Sequence, residues 1–78
     1  MAVDAAAEAN AAFRSFVANA KISGVFQGTP SRVVINGRLI REGEVVDPPL
    51  GIIFNGIDAN RHQLVFKDKS GATVSRRF

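Results

Sequence analysis

The sequence predicts a mainly β fold: a small antiparallel β-sandwich or partly open barrel of six to seven short strands, preceded by one N-terminal helix. Three observations predict it. The apolar period switches from helical to alternating at Lys21, turn-forming residues recur at short intervals beyond that point, and hydrophobic residues make up 46% of the 78-residue chain against 22% charged. A chain of this length buries only about 60% of its unfolded surface, so one domain with one modest core is expected. Residues 1–20 form its helical part and residues 21–78 its β part.

Residues 4–19 read as the helix, because the segment is rich in alanine and holds neither Gly nor Pro. Asp4 is the expected N-cap, its carboxylate accepting from the open donors of the first turn. Ala6, Ala9, Phe13, Phe16 and Ala20 recur at spacings of three and four and define one apolar stripe. That stripe packs either on the domain's own sheet or on a second copy, with Phe13 and Phe16 as its anchors. A helix this short needs tertiary support, which favours the intramolecular arrangement.

"KISGVFQ" is the first strand, ended by "GTPS". "RVVI" and "RLIR" follow, joined by Asn36-Gly37, the strongest short-range signal for a hairpin because a type I′ turn needs positive φ at both central positions. "REGEVVD" turns at Glu42-Gly43 into a short strand. Asp47-Pro48-Pro49 stops that strand and is expected to run extended. "GIIFNGID" is the longest strand, with Ile52 and Phe54 on one face and Ile53, Asn55 and Ile57 on the other. "HQLVFKD" and "ATVSRRF" form a last hairpin whose core positions are Leu64, Phe66, Ala72 and Val74.

No catalytic or metal-binding constellation is visible. There is no cysteine, and His62 is the single histidine, read as an ordinary surface residue of its strand, so neither a zinc site nor a nucleophile–base pair is expected. Glu42, Glu44 and Asp47 flank a glycine turn and read as turn and solvent residues. "GTPS" lacks the lysine and the following helix of a phosphate loop. Enzymatic activity, metals and cofactors are therefore not expected. The alanine-rich N-terminus is interrupted by Asp4, Glu8 and Arg14, which excludes a signal core or membrane span within it.

Ten Lys and Arg against seven Asp and Glu give a net charge of +3, yet the basic residues are dispersed and interleaved with acids. A solvated mixed-charge surface is the simpler reading. The alternative is a small barrel that binds single-stranded nucleic acid through a basic groove and stacking aromatics. The element order is also similar to that of Sm-like RNA-binding rings, although the glycine and aspartate spacing of that family's first motif is not reproduced. Nucleic-acid binding is accordingly the second choice.

"VVINGRLIREGEVV" resembles the hairpin and following turn in the C-terminal domain of type II secretion system protein B, where an "INGK-x-Y-R-x-GD" run occurs. Asn36, Gly37, Arg38, Arg41, Gly43 and Glu44 are the matching positions, with Glu44 in place of the usual aspartate and Ile40 where an aromatic is common. The resemblance extends more loosely, over residues 21–78, to the homology-region domain of secretion protein C and to pilus assembly lipoprotein P. It implies a periplasmic β domain, part of a longer chain tethered to the inner membrane. Such a domain would be a non-enzymatic module of a secretion or pilus assembly, binding a secretin periplasmic domain or an inner-membrane assembly protein. Asn36, Gly37, Gly43 and Glu44 have sufficient reasons of folding. Arg38 and Arg41, expected to project while Leu39 and Ile40 contend for the core, are the partner-binding candidates, together with Arg76 and Arg77 of the last strand.

Overall fold

The computed structural model describes residues 9–78. One helix, α1 (Ala11–Asn19), precedes seven strands: β1 (Ile22–Phe26), β2 (Arg32–Ile35), β3 (Arg38–Arg41), β4 (Val45–Asp47), β5 (Ile52–Asp58), β6 (Gln63–Lys67) and β7 (Thr73–Arg77). They form two antiparallel sheets, ordered β1-β2-β3 and β4-β5-β6-β7, which are not closed into a barrel. The mainly β class and the single preceding helix are as the sequence pattern predicts.

Asp4 and Ala6 lie outside the described residues. Within them the helix starts later than alanine content suggests, because Asn10 is extended (φ −77°, ψ 170°) and its side-chain oxygen accepts from the Phe13 amide at 2.8 Å. An asparagine that satisfies an open donor of the first turn outweighs the small propensity gain of one more turn. The buried face is Ala9, Phe13, Val17 and Ala20, with Phe16 half-buried at its margin. This face joins the common core and α1 packs along β7, so the helix is part of its own domain. Phe13 is only 1% exposed and is unavailable to a second copy while the helix is docked.

Asn36 and Gly37 take φ of 51° and 81°, the positive pair that a type I′ turn requires, and set Ile35 opposite Arg38. The Asp47-Pro48-Pro49 segment does not run extended. It closes a turn in which the Leu50 amide donates to Asp47 Oδ2 (3.2 Å) and the Gly51 amide to the Pro48 carbonyl (3.0 Å). Pro49 thus occupies the second turn position, where a fixed φ helps the reversal.

In β5 the strict alternation fails after Phe54. Phe54 pairs with Phe66 but Gly56 pairs with Val65, so an extra residue is inserted at this point. Ile57 is thereby returned to the inner side, opposite Leu64 and against the core, and does not share a face with Ile53. The core is filled by Val33, Ile35 and Ile40 from one sheet and Ile52, Phe54, Leu64 and Phe66 from the other, the two phenylalanine rings 5.8 Å apart and tilted by 47°. Ala72 is buried and Val74 packs against this cluster, as the pattern of the last hairpin predicts. Each fully buried large side chain contributes about 1.5–3 kcal/mol, which helix and sheets gain together.

Candidate functional site

The motif residues after β2 are absorbed by folding. The Asn36 amide donates to the Lys21 carbonyl at 2.8 Å, and the Asn36 side-chain oxygen accepts from the Lys21 amide at 2.9 Å, which clamps the entry of β1 to the turn. Gly43 (φ 93°) donates its amide to the Phe54 carbonyl at 2.7 Å, and the Phe54 amide donates to the Glu44 carbonyl at 3.0 Å. The Glu44 carboxylate accepts from the Arg41 amide at 2.8 Å. This turn therefore stitches β3 to β5 and joins the two sheets.

The four arginines separate. Arg38 and Arg41 are both exposed, but residues three apart in a strand face opposite sides, so they do not form one surface. Arg41 pairs with Arg32 on the outer side, whereas Arg38 shares its rung with the buried Ile35. Arg76 is half-buried and donates to the helix-end carbonyls of Val17 (2.9 Å) and Ala20. A cation at the C-terminus of a helix meets both unpaired carbonyls and the negative end of the dipole, so this guanidinium is committed within the chain. Arg77 stays exposed.

Two surfaces remain open. The first is the outer face of β1-β2-β3. Register places Phe26, Arg32 and Arg41 in one rung and Gly24, Val34 and Leu39 in the next. Phe26 is 47% and Leu39 55% exposed, and the Arg32 guanidinium lies 5.8 Å from the centre of the Phe26 ring, within cation–π range. Gly24 makes this arrangement possible: a Cβ there would stand 3.2 Å from Phe26 Cε2 and 3.4 Å from Val34 Cγ2, so the ring lies across the bare backbone. Sequence reasoning did not single out this patch. Alternation from the buried Val33 and Ile40 is the signal that assigns Val34 and Leu39 to the other side.

The second is a cleft of about 360 Å³ between the edge strands β1 and β7, lined by Ile22, Ser23, Gly24, Val25, Arg76, Arg77 and Phe78. At its margin Phe78 stacks on His62, ring centres 4.1 Å apart, and donates its amide to the His62 carbonyl. His62 is not an ordinary strand residue. It ends the turn before β6 with φ 59°.

No group of three or more His, Cys, Asp or Glu that could hold a metal ion occurs among the described residues. Asp68 is the buried carboxylate among the described residues, and its role is local. It accepts from the Ser70 hydroxyl (2.7 Å), the Ser70 amide (3.0 Å) and the Ala72 amide (3.1 Å), and the Ser70 hydroxyl above all holds its carboxyl below the ordinary value of 3.8. Among the described residues no helix is long and apolar enough to cross a membrane. No family model, no curated protein and no solved structure matches the chain.

Proposed function

We propose that the chain is a non-enzymatic protein-interaction module of a bacterial secretion or pilus assembly, acting in the periplasm. Its partner would be a secretin periplasmic domain or an inner-membrane assembly protein. The observation that supports this reading is the bare outer face of β1-β2-β3, where Phe26 and Leu39 offer exposed apolar surface flanked by Arg32 and Arg41. Aromatic and arginine side chains are the types that dominate binding at protein interfaces. At the end of β3 the Arg41 amide is already taken by the Glu44 carboxylate, so there the face offers its side chains.

One feature favours a second reading. A guanidinium over an exposed phenylalanine also suits a base of single-stranded nucleic acid. Fluorescence anisotropy decides between them, using a labelled secretin periplasmic domain and labelled single-stranded RNA and DNA at low and near-physiological salt. The expected result is saturable binding of the secretin domain that weakens by roughly tenfold or more in Phe26→Ser and Arg41→Glu. Arg41→Glu should shift folding stability by less than about 0.5 kcal/mol and Phe26→Ser, whose ring is half covered, by about 1 kcal/mol, so both variants stay folded. Nucleic-acid binding that persists with a clear salt slope would replace the proposal by the second reading.

A further inference from the structure

We infer that the cleft between β1 and β7 is a docking slot for one extended, acidic-apolar segment of a partner protein, which adds to the free edge of β1. The inference rests on the reading of the chain as an interaction module and names a different contact surface from the outer face.

The backbone supplies the first part of the case. β1 and β7 are the terminal strands of their sheets, and both border the cleft. The two-residue turn at Asn36-Gly37 makes Ile35 and Arg38 a hydrogen-bonded pair. Antiparallel alternation then points Arg32 and Val34 toward β1, where they meet Phe26 and Gly24. Val25 lies between those two, so its amide and carbonyl face away from β2 into the cleft. On the opposite wall the Phe78 amide bonds the His62 carbonyl, which by the same alternation directs Arg76 toward β6 and leaves the backbone of Arg77 facing outward. Unused edge groups beside an apolar trough are what a strand-adding ligand requires.

The side chains specify the occupant. Ile22, Val25 and Phe78 are apolar, partly buried and packed against the core, so they extend the hydrophobic interior into the cleft. Residues two apart on an incoming strand would set apolar groups against them. Arg77 is exposed at the margin, and Asp58, two strands away in the same rung, makes the one ion pair among the described residues with Arg61 and not with Arg77. No acidic residue lines the cleft. An acidic side chain on the ligand would supply the missing charge. A second copy of this chain is a poor occupant, because neither β1 nor β7 carries an acid to set against Arg77. The irregular register at Ser23 limits the regular edge to Gly24–Phe26, so the added strand is short.

The test uses the whole chain, immobilised, against a displayed library of random ten-residue peptides. Enriched peptides are then bound to isotopically labelled protein with amide exchange followed residue by residue. The expected result is enrichment of period-two apolar sequences carrying an acid, with the Val25 amide protected on binding. Affinity should fall roughly tenfold or more in Arg77→Glu and in a synthetic chain with Val25→N-methylvaline, which removes one outward donor and keeps the side chain. Peptides that bind without protecting Val25, and that are lost in Phe26→Ser instead, would overturn the slot and leave the interaction-module reading standing. Failure to enrich any peptide of alternating apolar pattern would overturn the slot as well. Concentration-dependent dimerisation that is abolished by Val25→N-methylvaline would replace the partner segment by a second copy.

Discussion

Asn36 holds a left-handed turn and clamps a strand fifteen residues earlier, and the two roles can be separated. Asn36→Gly keeps the positive φ and loses the bond to Lys21, which should cost about 1 kcal/mol in urea denaturation. Asn36→Ala loses both and should cost about 2 kcal/mol. Equal costs would mean that the positive φ contributes nothing, and an Asn36→Gly variant as stable as the parent would mean that the clamp contributes nothing. The turn was legible because Asn-Gly between apolar runs is a local signal, whereas the acceptor role toward Lys21 depends on strand pairing that no local pattern records. Asp68 presents the same contrast. Its depressed carboxyl contributes stability that is complete above the ordinary value of 3.8 and is lost as pH falls through the lower folded value. Ser70→Ala removes the largest cause of that depression. The acid limb of the stability curve should therefore flatten in part in Ser70→Ala and further in Asp68→Asn, as read from thermal midpoints between about pH 2 and 7. An unchanged acid limb in both variants would deny the carboxylate its role.

Among the elements, α1 and β5 show where sequence patterns stop. Alanine content marks a helix but not its first residue, since one side-chain oxygen on the Phe13 amide fixes the boundary at Asn10. The spacing assigns the stripe through Phe16, while the docked helix buries Val17, because a spacing of four keeps Phe13 and Val17 on the side that faces β7. The extra residue in β5 has no counterpart in the alternation of "GIIFNGID". Arg76, a partner-binding candidate by its place on the last strand, serves the helix, a contact between residues 56 and 59 positions apart. Replacing it with leucine leaves two helix-end carbonyls without their donor and should cost about 2 kcal/mol. Hydrogen exchange of the Phe13–Val17 amides should quicken more than that of β5 and β6. Uniform quickening would show that the helix does not open as a separate unit.

For the whole molecule, fold class followed from the change of period at Lys21 and the density of turns, both properties of the chain as a string. The division into three and four strands was not legible, because it rests on the tight turn at Gly43 carrying the chain from one sheet to the other. Ala9, Phe13, Val17 and Ala20 belong to the same core as Phe54 and Phe66. A chain truncated to residues 21–78 should consequently lose its cooperative thermal transition, since removing even one buried phenylalanine costs about 3–5 kcal/mol against a total stability of about 5 kcal/mol for a small domain. A sharp transition in that fragment would make the helix an accessory to an independent β unit. The open patch escaped the sequence for a related reason: exposure of Phe26 and Leu39 is decided by which side of the sheet the rest of the chain covers. The two walls of the cleft come from Ile22–Val25 and Arg76–Phe78, so the strands β2 to β6 are synthesised between them. A nascent or interrupted polypeptide that stops short of Arg76 presents one wall without the other, and a ligand that needs both would thereby distinguish it from a chain in which β1 and β7 have come together.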